Sequence, residues 1–414
     1  MNHRIRQVGL GALTIFLMFL VAELPLHALA ALSTRVNELL SRVEPHIPDP
    51  RLGAGGFEPH GRRPAPSVLD HDANGWRNAT VVAHADIVTL GDSHTYGVGV
   101  PAVDAWPRRL QDMTGKMVYN MSYSGYGPVD SLILWDEALA LRPSVLLKGF
   151  YSGNDLYDAF SRVYYGRQFP DLMTTDPVWR EAIQGLEAVQ PLKERIEPLF
   201  YRCLKAARRS WAASYRMLQQ YSKVFALVRR LKHEVAQSFP KDSFPKDEWE
   251  QAKKLAQRNS LCYDLYDDGE ARTLFTPGYR APAMDVDDVR IGEGLRISLE
   301  VLRRMDARAR ANHLRFVVVL IPTKELVFSE VAEENASQTY KETIQDEEMV
   351  WAVTRAFLDA NGIEYVEPLA SLRKQLAESN QPYPVSSDGH PNAAGHEAIA
   401  AAVNDKLNEA KRVN

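Results

Sequence analysis

Five short apolar runs set the fold class of this chain. Ile87-Val88-Thr89-Leu90 stops at Gly91, and Lys116 to Ser122 and Val145 to Phe150 follow. Phe316 to Ile321 stops at Pro322, and Ile363 to Val366 comes last. Near-continuous apolar runs of this length, rich in β-branched residues, suit parallel strands buried on both faces. Helical patterns lie between them at Trp106 to Met113, Asp130 to Ala140, Gly292 to Ala311 and Thr339 to Ala360. Alternation of this kind predicts an α/β protein, a three-layer α/β/α domain on a five-stranded parallel sheet.

The chain has 414 residues, more than one such sheet needs. The surplus sits at about 156–289, where Arg, Lys, Glu, Ala and aromatic residues recur at helical spacing. Trp179 to Leu192, Leu199 to Glu234 and Asp247 to Leu261 read as helices, with Pro240 and Pro245 breaking the middle. This predicts a helical insertion, either a lid over the C-terminal edge of the sheet or a packing subdomain. Residues 33–85 are rich in Pro and Gly and read as a connecting region. Near its end, Asn74-Gly75-Trp76-Arg77 is a turn signal followed by an aromatic able to pack on a core. The sheet domain then spans 86–411. A net charge of -4, with acids and bases interspersed, excludes the basic footprint of a nucleic-acid binder. The two cysteines, Cys203 and Cys262, lack metal-ligand spacing and leave two readings, one bridge or two buried thiols.

The N-terminus reads as an export signal. Arg4 and Arg6 precede an apolar run from Val8 to Ala22, with Glu23, Pro25 and His27 beyond it. Residues 1–32 are expected to be either an uncleaved anchor or a signal peptide removed after Ala30. Both place the basic end inside and the rest of the chain outside, on the periplasmic or extracellular side.

The chemistry-bearing residues cluster at strand ends. Gly91-Asp92-Ser93-His94 follows the first strand, where ligands bind in an open parallel sheet. A serine there presents its hydroxyl to the crevice, and its N–H, opening a helix, faces a developing negative charge. Ser124-Gly125-Tyr126-Gly127 follows the second strand; Gly125 lets backbone approach a substrate and offers an unobstructed N–H. Gly153-Asn154-Asp155 follows the third, and Asn154 carries an amide able to donate to an oxyanion. Near the C-terminus stands Asp388-Gly389-His390-Pro391-Asn392, ahead of a last helix from about Ala393 to Ala410. A serine nucleophile needs a base and a partner that fixes the base's tautomer. Residues two apart in an extended loop share a side, so Asp388 can hold one nitrogen of His390 while the other faces Ser93. His94 reads as a crevice residue and His396 as a packing or capping residue of the last helix.

Gly91-Asp92-Ser93, Gly125, Asn154 and Asp388 to His390 fall in the order of the sequence blocks of the SGNH (GDSL-like) hydrolases. Over Ile87 to Lys411, the insertion apart, the chain resembles that family. The Asn74 to Arg77 entry and Ile321-Pro322-Thr323-Lys324 resemble its bacterial, membrane-anchored members. The resemblance implies a flavodoxin-like fold with Ser93 as nucleophile, His390 as general base and Asp388 as its orienting acid. It implies an oxyanion hole made by the Ser93 and Gly125 N–H groups and the Asn154 amide, with no metal or organic cofactor. One departure stands out: many members place the acid three residues before the histidine, where this chain has Ser387. The shorter Asp-x-His spacing occurs in related groups that acetylate polysaccharides. The expected function is an exported serine esterase, cleaving acetyl esters of a cell-envelope or extracellular polysaccharide. Two rivals share the sequence: a polysaccharide O-acetyltransferase using the same triad with a membrane acyl-donor partner, and a non-catalytic carbohydrate-binding or assembly protein. Tyr126, Tyr151, Tyr157, Tyr164 and Tyr165 read either as sugar-stacking or as core residues.

Overall fold

The computed structural model describes residues 71–204, 246–332 and 336–412, with short pieces at 21, 23–29, 31–32, 46–48 and 62–64. The apolar run Val8 to Ala22 lies outside the described residues apart from Val21. Among the described residues no helix is long and apolar enough to cross a membrane.

The five expected strands form one parallel sheet: β1 Ile87–Leu90, β2 Val118–Asn120, β3 Val145–Tyr151, β4 Arg315–Ile321 and β5 Glu364–Val366. Their order is β2-β1-β3-β4-β5, the flavodoxin-like arrangement whose ligand crevice opens between β1 and β3. Successive side chains leave opposite faces of a strand, and both faces are buried. Leu146 and Phe150 enter one apolar cluster, Val145, Leu147 and Tyr151 the other. Strand β2 is shorter than the run Lys116 to Ser122, although the Met121 N–H still donates to Thr89 O at 2.9 Å and the Tyr123 N–H to Gly91 O at 3.3 Å ahead of the glycine turn at 125–127.

Helices cover both faces. On one side α1 Ser93–Tyr96 opens the site, and α2 Trp106–Thr114 packs against the C-terminal helix. On the other, the pattern Asp130 to Ala140 resolves into two helices, Pro128–Ile133 and Trp135–Ala140, that meet at Leu134. Helix α3 Ser152–Tyr164 follows β3 directly and packs along α4 Val289–Ala311, the helix that leads into β4. Asp288 caps α4 by accepting from the Arg290 N–H. Helices α5 Gln338–Asn361 and α6 Ala393–Arg412 complete the two layers.

Between α3 and α4 the chain carries its extra elements. Helices Pro177–Val189, Leu192–Leu199 and Lys246–Arg258 are present, with a wide turn at Phe200–Leu204. Most of the pattern Leu199 to Glu234 lies outside the described residues. An antiparallel hairpin, Asp264–Asp267 with Arg272–Phe275, stands where only helix was expected. Its Leu274 N–H donates to Val385 O at 3.0 Å and its Thr273 hydroxyl to Pro384 O at 3.0 Å. The hairpin therefore braces the segment that leads to His390.

Cys203 and Cys262 are joined by a disulfide, so the two-thiol reading does not hold. Both are buried, and the bridge closes a 59-residue separation. Replacing both cysteines with alanine is expected to lower the unfolding free energy by about 2–4 kcal/mol, read as a lower urea midpoint. An unchanged midpoint would mean that the loop was already constrained without the bridge.

Residues 71–85, part of the region read as a connector, pack onto the sheet domain. Asp72 Oδ1 accepts from the Asn74 and Trp76 N–H groups and shapes the turn that Gly75 closes at φ +79°. Trp76 is buried edge-on to Tyr126. Arg77 donates to Tyr96 O, Gly97 O and Val100 O, pinning the loop that leaves α1.

Candidate active site

Strand β1 ends at Leu90 and the chain turns sharply into α1. Glycine at 91 is obligatory here: a Cβ would stand 2.3 Å from Thr95 Oγ1. Asp92 caps the helix, accepting from the His94 N–H at 2.9 Å. Burial pushes its carboxyl up, but the charge and hydrogen bonds of His94, with the charge of Lys148, outweigh that and hold it below the usual carboxylate value. Ser93, the first residue of α1, is half-buried at the crevice.

His390 reaches the same point from the loop before α6. Its Nδ1 lies 2.6 Å from Asp388 Oδ1, and its Nε2 lies 2.8 Å from Ser93 Oγ. An ionised carboxylate only accepts, so Nδ1 carries the proton and Nε2 presents its lone pair to the Ser93 hydroxyl. The His390 backbone N–H donates to the same Asp388 oxygen at 3.0 Å. The two-residue spacing thus closes a small turn that fixes acid and base together; Asp388, not Ser387, meets the ring. Partial burial raises the Asp388 carboxyl, but the hydrogen bond and charge of His390, then its N–H and Lys324, pull it well below the usual carboxylate range.

His94 lies beneath this pair. Its ring stacks on Tyr151 at 3.7 Å and stands 4.7 Å from the His390 ring. Its Nε2 faces Gly389 O and its Nδ1 faces Asp92 Oδ2, each at 3.3 Å. Burial drives it towards the neutral form, against the pull of Asp92. It packs between Tyr151 and the His390 ring.

Lys324, from the Ile321 to Lys324 motif, is fully buried. Its ammonium donates to Leu274 O at 2.9 Å, Ser386 O at 2.8 Å and Asp388 O at 3.1 Å. All three ammonium hydrogens are used, and together they tie the hairpin to the Asp388–His390 loop. Burial lowers its pKa to about 8, against the opposing charges of Glu325 and Asp388.

Gly125 and Asn154 stand at the ends of the two strands that flank β1. Gly125 has φ +83°, a conformation that favours glycine. Asn154, in the first turn of α3, donates through Nδ2 to Asp158 Oδ2 at 2.7 Å. The carboxylate fixes which way the amide faces and leaves its second N–H free of that bond. The turn at 125–127 abuts the same place, since a Cβ on Gly127 would stand 2.9 Å from Asp158 Cβ. Hydrogen bonds thus join Ser93, His390 and Asp388 directly, whereas Gly125 and Asn154 are brought to the crevice by topology. His396 is buried and its Nδ1 accepts from the Trp106 N–H at 3.3 Å, which caps α2. Burial holds its pKa at about 3, so it stays neutral.

Asp158 sets a pH test. Burial, countered by the Asn154 hydrogen bond, raises its carboxyl from 3.8 to about 7. A raised folded value means that the protonated acid stabilises the fold fully below the unfolded value, and that this stability is lost as pH climbs through the folded one. Asp158→Asn, which mimics the protonated acid, is expected to remove that loss and to raise the thermal midpoint at pH 8. The difference between variant and wild type is read from pH 4 to pH 8; a difference independent of pH contradicts the assignment.

Sequence reasoning located Ser93, His390 and Asp388 but assigned no role to Lys324, Asp158 or Arg280. Only Lys324 carried a signal, a lysine two residues after the proline that stops the fourth strand.

No family model matches this chain, and no curated protein matches it. Among solved structures it is similar to phospholipase A1 from Streptomyces albidoflavus, with 11% identity over 79% of this chain and 99% of that one and a TM-score of 0.36. It is also similar to a GDSL-like lipase from Bacteroides thetaiotaomicron, at 10% identity, 78% and 88% coverage and a TM-score of 0.32. The esterase EstA of a Pseudoalteromonas species gives 10% identity, 79% and 98% coverage and a TM-score of 0.30. Likenesses this distant carry no weight for function. The fold is read from the strand order of this chain, and the chemistry from its own geometry.

Proposed function

We propose that the chain is an SGNH-type serine hydrolase that cleaves esters through an acyl-enzyme on Ser93. The observation that carries this is the continuous hydrogen-bonded line from Asp388 Oδ1 through the His390 ring to Ser93 Oγ, at 2.6 and 2.8 Å. His390 Nε2 takes the hydroxyl proton as Ser93 Oγ attacks the ester carbonyl. The tetrahedral oxyanion is held by the Ser93 N–H, the Gly125 N–H and the free N–H of Asn154. Collapse expels the alcohol, which receives the proton from His390. Water, deprotonated in turn by His390, then releases the acid and restores Ser93.

The substrate of this reading is an acetyl ester on a cell-envelope or extracellular polysaccharide. Two features support an exported chain: the basic-then-apolar N-terminus and the Cys203–Cys262 disulfide, since such bridges persist in oxidising compartments. In this reading residues 1–32 hold the protein at the membrane, or release it if cut after Ala30. In the transferase rival a membrane partner supplies the acyl group to Ser93, and a sugar hydroxyl, deprotonated by His390, replaces water at the second step.

The test is a fluorophosphonate probe and 4-nitrophenyl acetate on residues 33–414. Covalent labelling at Ser93 with steady nitrophenol release is expected. A folded protein that neither labels nor hydrolyses would sink the enzyme reading and favour the binding-protein rival.

A further inference from the structure

Arg280 stands beside the site with its donors largely unspent. It comes from the helix Pro277–Met284, among the elements between α3 and α4, and only 5% of it is exposed. Its guanidinium lies over the rings of Tyr151 and Tyr279, 5.3 and 5.1 Å from their centroids. Nη1 donates to Gly153 O at 3.1 Å, the residue before Asn154. Nη2 lies against Gly389, where a Cβ would stand 2.6 Å from it. The guanidinium thus spans the short distance between the Asn154 turn and the Asp388–His390 loop.

What it lacks is an anion. Nε is sealed from solvent with no partner, and Nη2 is neither sealed nor hydrogen-bonded among the described residues. Arg280 makes no ion pair among the described residues. Glu325 and Glu347 are near enough to favour its charged form, but neither makes an ion-pair contact with it among the described residues, and Glu325 Oε2 is itself buried without a hydrogen-bond partner. Glu325 Oε1 accepts from Thr276, while Glu347 accepts from Ser152, Thr323 and Trp351. Burying a cation without a contact partner is costly. A planar guanidinium with free N–H groups matches a carboxylate, which it takes in a two-bond fork. Gly389 lets it come this close to the catalytic loop.

We propose that Arg280 binds a carboxylate of the substrate next to the ester that Ser93 attacks. The preferred substrate is then an acyl ester of an acidic molecule, a uronate-type sugar in the polysaccharide reading. This rests on the ester-hydrolase reading of the same site. It also gives that part of the chain a role in substrate choice beyond bracing the loop.

The probes are 3- and 4-acetoxybenzoate, each against its methyl ester, which carries the same acetyl ester without the charge. Rates are corrected for spontaneous hydrolysis. For at least one position the wild type is expected to favour the charged probe by about tenfold to a hundredfold in kcat/KM. In Arg280→Met that ratio collapses towards one, and Arg280→Lys, a point charge without the fork, recovers part of it. The ratio is the readout, so a general loss of rate from disturbed packing does not mimic the result. Should Arg280→Met fail to fold, the wild-type ratios and competitive inhibition of 4-nitrophenyl acetate hydrolysis by benzoate over benzamide decide. Wild-type ratios near one, or a preference that survives in Arg280→Met, overturn the proposal while leaving the hydrolase intact. Failure to hydrolyse any of these esters removes the reading beneath it.

Discussion

Ser93→Ala is expected to lower kcat for 4-nitrophenyl acetate by about 10⁵- to 10⁶-fold, to the level set by binding and oxyanion donors alone. The substitution deletes one oxygen. It does not touch the helix cap, because Asp92 rather than Ser93 accepts from the His94 N–H. Ser93 is half-buried and its hydroxyl faces the crevice, so no cavity opens in the core. The thermal midpoint should therefore stay close to wild type. No neighbour can replace the nucleophile: Asp92 is fully buried and committed to His94. Fluorophosphonate labelling should vanish with the activity. A folded Ser93→Ala protein that retains turnover would mean that the Asp388–His390–Ser93 line is structural, and the hydrolase reading would fall.

Asp388→Asn is expected to cost about 10²–10⁴ in kcat with little change in KM. The neutral amide removes the charge that stabilises the imidazolium formed as Ser93 attacks. It can also turn its NH₂ towards Nδ1, which forces the ring proton onto Nε2 and leaves no lone pair for the Ser93 hydroxyl. The Asp388 side chain is 44% exposed, so water screens its charge in part, and the loss should fall towards the lower end of that range. Ser387→Ala is the internal control, since position 387 is where the acid would stand at the longer spacing. It should behave as wild type. An inactive Ser387→Ala beside an active Asp388→Asn would transfer the orienting role to position 387.

The sheet was legible because its strands are buried on both faces, which leaves the apolar runs unbroken. Even Lys148, in the middle of β3 and fully buried, did not hide that strand among its apolar neighbours. The hairpin at 264–275 was missed for the opposite reason. Asp264-Leu265-Tyr266-Asp267 is half-exposed and flanked by helix formers, though Asp268-Gly269 was a turn signal of the right kind. Ser93 and His390 could be paired across 297 positions because each sits in a short motif of fixed type. Arg280, Lys324 and Asp158 could not. Lys324 stood in a motif that did not say what its ammonium holds, while an arginine and an aspartate on helices carry no signal until packing seals them, and only the three-dimensional contacts show what each then holds.

Acid and base occupy one five-residue segment, 386–390, and Lys324 grips that segment from below through Ser386 O and Asp388 O. The 2.6 Å contact between Asp388 and His390 is internal to it. The segment is therefore held as a unit. Drawn back from Ser93, it would carry a fully assembled proton relay away from an untouched nucleophile. In the proposed hydrolase, activity would then turn on the seating of this segment against the N-terminus of α1. A small molecule wedged under that segment would silence the protein without touching either catalytic side chain.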